Sequence, residues 1–311
     1  MNTSDPAGWV RRPRAVSRGA VVVEACPEEL VQHIRLCNQA TGQKAAPRAA
    51  SASAEFLRDL QAAFETLPAA VQRLVPADFF GVYLARGLGC SAVVDVVRYQ
   101  GRTLGSALVI DVDALAMRDA NAWASWKESE PFTDDGTLEI RLTIAHAGED
   151  DRRTALQFIL LHEIGHLAVC GRRFLPEWWM APANLGTSQD YAFLDFSWEV
   201  DAGKSIAPRS TSVAEMRRTV SFYCDAGLSA ETAVGLYGGL LDSDFPTLYA
   251  IANAYEDFSE CLALYVHTRL LRRPYRLELQ LGDETYLVDD PDSVAARCMA
   301  KFSFVESLLA S

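Results

Sequence analysis

Residues 154–169 read TALQFILLHEIGHLAV. Their leucines and isoleucines recur at intervals of three and four residues, which predicts a helix with one apolar face toward a core. This helix carries the pattern H-E-x-x-H at residues 162–166, and residues four apart lie on the same helical face. The imidazoles of His162 and His166 can therefore bind one metal ion. Random placement of five histidines and nineteen glutamates in a chain of this length would produce the pattern only about 0.005 times.

The site predicted on this helix is a zinc centre with Glu163 as the general base. Zinc lowers the pKa of a bound water molecule toward neutrality, and the glutamate of an H-E-x-x-H helix accepts its proton. If His162 and His166 only packed in a core, Glu163 would be an unpaired charge beside that core, which is energetically costly. We therefore expect one zinc ion per chain, bound by both histidines.

A catalytic zinc site needs a third protein ligand and one open position. A third histidine six residues after His166 is excluded, because residue 172 is an arginine. The remaining candidates are carboxylates or a cysteine further along the chain. Besides the ligand favoured below, the residues that stay open are Cys170, Glu177, Asp190, Asp195, Glu199 and Asp201.

The favoured third ligand lies in residues 249–260, which read YAIANAYEDFSE. Helical spacing places four polar side chains of this segment on one face: Tyr249, Asn253, Glu256 and Glu260. Two carboxylates on one face of an otherwise apolar helix need a partner, and a zinc ion with its histidines would be one. We expect Glu256 to bind the metal and Glu260, one turn later, to accept the N–H of His162 and fix its tautomer.

These two segments together resemble the zincin metallopeptidases of the glutamate-ligand type, in which an E-x-x-x-[DE] helix supplies the third ligand. The spacing Y-x(6)-E-x-F-x-E is similar to that in the catalytic domain of the anthrax lethal factor family. In that family, a tyrosine seven residues before the ligating glutamate stabilises the oxyanion or protonates the leaving group. The resemblance therefore implies a catalytic role for Tyr249. It also implies a zinc-dependent metalloendopeptidase that acts on a peptide or protein substrate.

The sequence predicts an α+β, zincin-like domain over residues 54–311, preceded at residues 1–53 by a basic arm, a short helix and a linker. Residues 54–170 would form a mixed sheet followed by the H-E-x-x-H helix, and residues 171–311 a mainly helical part that carries the third ligand. Strands are expected at residues 80–85, 91–99, 104–112 and 138–145. The alternating strand 138–145 is expected to border the cleft and to pair with an extended substrate.

Composition argues against several other classes of protein. The net charge of −12 at pH 7 disfavours nucleic acid as a partner. No apolar run approaches the roughly 18 residues of a membrane span, and the short run at residues 20–23 is no signal peptide. Seven scattered cysteines without a Cys-x-x-Cys pair indicate reduced thiols. These features predict a cytoplasmic protein without membrane contact, while secretion by a leaderless route stays open.

Two other functions are compatible with the same residues. One is a non-catalytic zincin scaffold that binds a protein partner through the groove. The other is a zinc amidohydrolase that acts on a non-peptide amide. The joint presence of three ligand positions, a base and the tyrosine favours catalysis. No pattern in the sequence indicates the substrate, the oligomeric state or a regulatory role for the N-terminal residues.

Overall fold

The computed structural model describes residues 1–12, 16–17, 20–116, 118–224 and 227–311 of the chain. The fold is α+β with a mixed sheet, which confirms the predicted class at that level. The helices are α1 (Pro6–Arg11), α2 (Glu28–Ala40), α3 (Ala54–Glu65), α4 (Ala69–Gln72), α5 (Ala120–Ser129), α6 (Arg152–Val169), α7 (Leu194–Ser197), α8 (Thr211–Thr219), α9 (Ala230–Leu241), α10 (Ala254–Tyr265), α11 (Pro291–Arg297) and α12 (Met299–Ala310). The strands are β1 (Val16–Ser17), β2 (Ala20–Val21), β3 (Val23–Ala25), β4 (Arg48–Ala49), β5 (Phe79–Arg86), β6 (Ala92–Tyr99), β7 (Arg102–Asp111), β8 (Leu138–Thr143), β9 (Trp198–Val200), β10 (Ile206–Pro208), β11 (Arg276–Leu281) and β12 (Glu284–Asp289).

The largest sheet has the strand order β3-β5-β7-β6, and β4 pairs with the end of β5. β3 and β7 run parallel to β5, whereas β6 runs antiparallel to β7 and lies at the edge of the sheet. The strands predicted at residues 80–85, 91–99 and 104–112 are confirmed as β5, β6 and β7, with ends that differ by one or two residues. Alternate side chains of β5 enter two apolar layers, one on each face of the sheet.

The described part of the first 53 residues adds two short strands to this sheet and covers one of its faces with α1 and α2. β3 pairs in parallel with β5. Trp9 is 3% exposed, and its ring lies 5.1 Å from the ring of Phe80 and 5.9 Å from that of Tyr83. The structure thus differs from the predicted separate arm and linker, because apolar side chains scattered through a basic, small-residue segment complete a second core layer. Residues 13–15 and 18–19 of the predicted arm lie outside the described part of the chain.

A second sheet, in the order β12-β11-β8, places β8 against α5 instead of beside an open cleft. Leu142 N donates a hydrogen bond to Ser125 Oγ at 2.9 Å. Just beyond the strand, Ile144 N donates to Asn121 Oδ1 at 2.7 Å. Side chains of α5 therefore occupy donors along the outer edge of β8. The prediction that residues 138–145 pair with an extended substrate is wrong for this reason.

The helix predicted over residues 249–260 is interrupted near its start. A 3₁₀ turn spans Tyr249–Ala252, α10 follows, and a π-helical turn spans Val266–Leu270. The break lies at Asn253, whose backbone is extended and whose side-chain oxygen accepts the N–H groups of Tyr255 and Glu256 at 2.9 and 3.0 Å. Asparagine is among the preferred N-cap residues, so it starts a new helix here and ends the preceding turn.

Helix α6 packs closely against α10 at Gly165. A Cβ atom added to Gly165 would lie 2.6 Å from both the Cα and the Oγ of Ser259, so the absence of a side chain allows this approach. The contact brings the H-E-x-x-H helix within reach of the acidic end of α10. Across the described residues, no helix combines the length and the apolar character that crossing a bilayer requires. Each of the seven cysteines is a free thiol.

Candidate metal centre

Helix α6 carries both of the predicted histidine ligands on one face. Its first turn is fixed by Asp151, which accepts the N–H of Thr154 at 2.8 Å as an N-cap. His162 and His166 are one turn apart, and their ring centroids are separated by 4.9 Å. The first turn of α10 brings Glu256 against the same pair of rings. The structure therefore brings the three predicted ligands together.

Three side-chain atoms converge at this point. His162 Nε2 lies 3.0 Å from Glu256 Oε2, His166 Nε2 lies 3.3 Å from the same oxygen, and the two ring nitrogens are 3.2 Å apart. A tetrahedral zinc ion with bonds of about 2.0–2.2 Å would separate such atoms by roughly 3.3–3.6 Å. The observed triangle is only slightly tighter than that, so the three side chains could hold a metal ion.

The chemistry of these atoms suits a cation better than hydrogen bonds among themselves. Glu256 Oε2 is buried and forms no well-directed hydrogen bond with any described residue, although two ring nitrogens are close. Burial would raise the pKa of Glu256, but the imidazoles of His166 and His162 hold it well below its ordinary value. Burial would likewise lower the pKa of His162, but Glu256 and Glu260 raise it to about 10. Glu256 is therefore ionised beside the two rings, and a metal ion in place of the ring protons could accept all three ligand atoms at once.

Glu260 lies one turn after Glu256, behind the ring of His162. Its Oε1 is 2.8 Å from His162 Nδ1, which is a hydrogen-bond distance, although the ring N–H does not point squarely at the oxygen. The same oxygen accepts a hydrogen bond from Lys127 Nζ at 2.9 Å. Burial would raise the pKa of Glu260, but Lys127 and His162 lower it to about 2. The structure places Glu260 beside His162 and adds Lys127, to which no sequence pattern pointed, as a partner of its carboxylate.

Glu163 follows His162 on α6 and lines the cleft in front of the two histidines. The residue is 5% exposed, and its Oε2 atom is buried without a hydrogen-bond partner among the described residues. Burial raises the pKa of this carboxyl group, against the attraction of the imidazoles of His162 and His166. Buried polar atoms almost always have partners, so one without a partner is unusual, and this one lies beside three convergent ligand atoms.

Two tyrosines form one side of the site. The ring of Tyr249 lies 5.8 Å from that of His162 and 6.1 Å from that of Tyr223. Burial raises the pKa of both phenols well above the ordinary value, so both hydroxyls keep their protons. Tyr223 was not among the predicted site residues. It has a positive φ of 62°, and its N–H donates to the carboxylate of Glu130. No local pattern predicts this left-handed conformation, which is uncommon for a tyrosine.

The site opens into a cleft of about 460 Å³. One wall is residues 92–95 of β6, and another is the face of α2 that carries His33 and Cys37. β6, not β8, is therefore the edge strand that runs beside the candidate ligands. A smaller cavity of about 30 Å³ lies against His162 and Glu163, and its remaining lining includes Trp123, Phe158 and Lys127.

The other third-ligand candidates lie outside the convergent set. Among the described residues, only His162, His166 and Glu256 form a group of three or more His, Cys, Asp or Glu side chains whose ligand atoms lie within 4.8 Å of one another. The alternatives that do not join it are Cys170, Glu177, Asp190, Asp195, Glu199 and Asp201.

A scan against models of known protein families found no match for this chain, and neither did searches of curated proteins and of solved structures. Any functional assignment therefore rests on the residues and their geometry.

Proposed function

We propose that this chain is a zinc-dependent metalloendopeptidase of the zincin type. The observation that carries the proposal is the convergence of His162 Nε2, His166 Nε2 and Glu256 Oε2 within 3.3 Å of one another. Two imidazoles and one carboxylate form a ligand set that catalytic zinc sites use. Glu163 Oε2, which accepts no hydrogen bond from the described residues, adds a base to that set. The same roles are implied by the resemblance to the anthrax lethal factor family.

Each side chain has its own part in the proposed reaction. A bound zinc ion would polarise the scissile carbonyl group and acidify a water molecule. Glu163 accepts the proton of that water at Oε2 and later delivers it to the leaving amine nitrogen. Tyr249 donates a hydrogen bond to the oxyanion that develops on the substrate. Glu260 holds His162 in orientation through Nδ1.

The cleft supports a peptide as the substrate. Residues 92–95 of β6 line the cleft beside the candidate ligands. The outer edge of β6 beyond them is already paired with the N-terminal residues, at Val96 and Arg98, so residues 92–95 are the part of the edge that a substrate could reach. An extended chain can add to such an edge through main-chain hydrogen bonds, with its side chains pointing alternately toward and away from the protein. We therefore propose a peptide or protein substrate that binds along β6.

Metal analysis of the purified protein tests the first part of this proposal. The parent chain should contain close to one zinc ion, and His162→Ala or His166→Ala should abolish it, because two ligands cannot hold the ion tightly. Glu139→Ala on the exposed face of β8 is the control and should keep full zinc content. If both histidine variants still contained one zinc ion per chain, His162 and His166 would not be the metal ligands.

Hydrolysis of a mixed peptide library tests the second part. Glu163→Gln should retain zinc but lose hydrolysis, because the amide keeps the shape of the side chain and cannot accept a proton. Activity within a few-fold of the parent would show that another group is the base. A parent protein that binds zinc and cleaves no peptide would instead support the non-catalytic scaffold.

A further inference from the structure

Lys127 is a buried cation at the back of the candidate site. It lies on α5, far from the ligand helices in sequence, and only 7% of the residue is exposed. Together with His162 and Glu163 it lines the small cavity beside the site. The neighbouring carboxylate of Glu128 is engaged elsewhere, since it accepts the hydroxyl of Tyr237 at 2.8 Å. The ammonium group of Lys127 is therefore directed at the candidate site.

The first contact of Lys127 is with the carboxylate that orients His162. Lys127 Nζ lies 2.9 Å from Glu260 Oε1, and this one oxygen also lies 2.8 Å from His162 Nδ1. Glu260 is 1% exposed, so bulk water does not reach its carboxylate. Without Lys127, the carboxylate of Glu260 would be repelled by the nearby carboxylate of Glu256. It would then lose its position behind the imidazole of His162.

The second contact of Lys127 is with the phenol ring that we assign to the oxyanion. Lys127 Nζ lies 4.6 Å from the centroid of the Tyr249 ring, within the range of a cation–π interaction. The ring of Phe222 packs against the same ring in a T-shaped arrangement, at 5.0 Å between centroids. One ammonium group thus contacts both the carboxylate behind a proposed ligand and the tyrosine in front of it.

We propose that Lys127 is a positioning residue that holds Glu260 behind His162 and supports the ring of Tyr249. This inference rests on the proposed zinc site. It adds α5 to the elements that form the site. The orientation of His162 and that of Tyr249 then both depend on Lys127. The role is one of placement, because the contacts of Lys127 Nζ within the described part of the chain are with Glu260 and the ring of Tyr249 and not with the three convergent ligand atoms.

The test is a double-variant cycle on zinc affinity, measured by competition with a chromophoric chelator. Lys127→Met keeps the length of the side chain and removes its charge. We expect it to weaken zinc binding about 10–100-fold, the effect of losing an outer partner of a ligating histidine. Glu260→Gln alone should cause a similar loss. The double variant Lys127→Met/Glu260→Gln should bind zinc no more weakly than Glu260→Gln, because Lys127 acts through that carboxylate.

Lys301→Met is the matched control for loss of a buried lysine. Lys301 Nζ lies 2.7 Å from Asp257 Oδ2 and 3.9 Å from the ring centroid of Phe245, so it has the same kinds of partner as Lys127. It should destabilise the fold while zinc affinity stays within about 3-fold of the parent. At saturating zinc, Lys127→Met should also lower kcat with little change in KM, which Lys301→Met should not do.

The outcomes separate this inference from the proposed function. If the parent binds zinc and Lys127→Met binds it equally well, the role of Lys127 is overturned and the zinc site stands. Additive losses in the double variant would also overturn it. If Lys127→Met does not fold, the double variant decides, because removing both partners of a buried pair leaves no orphan charge. A parent protein that binds no zinc overturns both proposals.

Discussion

Tyr249 and Tyr223 place two phenol groups at one side of the candidate site, and only the first is assigned to the oxyanion. Tyr249→Phe should leave zinc content unchanged and lower turnover by roughly 10²–10³, the usual loss when one oxyanion donor is removed. Tyr223→Phe removes the same hydroxyl group from a ring whose centroid lies 6.1 Å from that of Tyr249. This variant should reduce turnover by no more than a few-fold. Steady-state kinetics with a cleaved peptide decide between them. A larger loss of turnover in Tyr223→Phe than in Tyr249→Phe would assign the oxyanion to Tyr223 instead.

His267 should make stability depend on pH. It is 0% exposed, and its Nε2 contacts the carbonyl oxygens of Ile144 and Pro274 at 2.8 and 3.1 Å, while Nδ1 is buried without a partner in the described residues. Burial lowers the pKa of His267 to about 4. The neutral ring therefore contributes stability that is fully present above the unfolded-state pKa near 6.5 and is lost as pH falls toward 4.

The expected size of this contribution is about 3 kcal/mol, from a shift of roughly 2.5 pKa units at 1.36 kcal/mol per unit. Urea unfolding of the parent and of His267→Gln, each at pH 7 and pH 4.5, measures it. The amide can donate to the same carbonyl groups and does not titrate, so the variant should lose less stability between the two pH values. Equal losses in both proteins would contradict the assignment.

At the scale of elements, the approach of α6 to α10 depends on Gly165. Gly165→Ala would force a Cβ to within 2.6 Å of the Ser259 backbone, so the helices must separate. We expect a loss of about 1–3 kcal/mol in unfolding free energy and weaker zinc binding, because Glu256 moves away from the histidines. Gly238→Ala on α9 is the control: its Cβ would meet nothing within 4 Å, and it should stabilise the protein by about 0.5–1 kcal/mol. Chemical unfolding and zinc titration of both variants make the comparison.

The parts of the site that follow from local spacing were predictable from the sequence. The spacing of H-E-x-x-H alone places His162, Glu163 and His166 within about one helical turn. The spacing of E-x-x-x-E does the same for Glu256 and Glu260. Their convergence agrees with that expectation, even though Asn253 breaks the helix that was expected to continue back to residue 249.

The rest of the site depends on packing between distant segments. Lys127 comes from α5 and Tyr223 from a segment with left-handed backbone, and neither has a local pattern that points to the metal ligands. The choice between β6 and β8 as the strand beside the cleft was likewise decided by tertiary contacts. Strand 138–145 has the clearer alternation, yet Asn121 and Ser125 occupy the donors at its edge. Alternation shows that one face of a strand is buried, but does not show what covers its edge.

At the scale of the whole molecule, the N-terminal segment is expected to contribute to global stability. Trp9 is 3% exposed against Phe80 and Tyr83, and its indole N–H donates to Glu29 Oε2 at 3.1 Å. Trp9→Ala should therefore reduce the unfolding free energy by about 3–5 kcal/mol. Val10 is 55% exposed on the same helix, so Val10→Ala should change it by no more than about 0.5 kcal/mol. Urea denaturation of the two variants would give equal values if the segment were only loosely attached.

The two buried lysine–carboxylate pairs of α10 have a consequence for amide hydrogen exchange. Glu260 pairs with Lys127 from α5, and Asp257 pairs with Lys301 from α12. If α10 opened by itself, each lysine would lose its nearest carboxylate, and removing one partner of a buried pair costs about 3–5 kcal/mol. The free energy of opening α10 locally is then no lower than the free energy of unfolding the whole domain. Its amide hydrogens should belong to the last group to exchange with deuterated solvent, at a rate set by global unfolding.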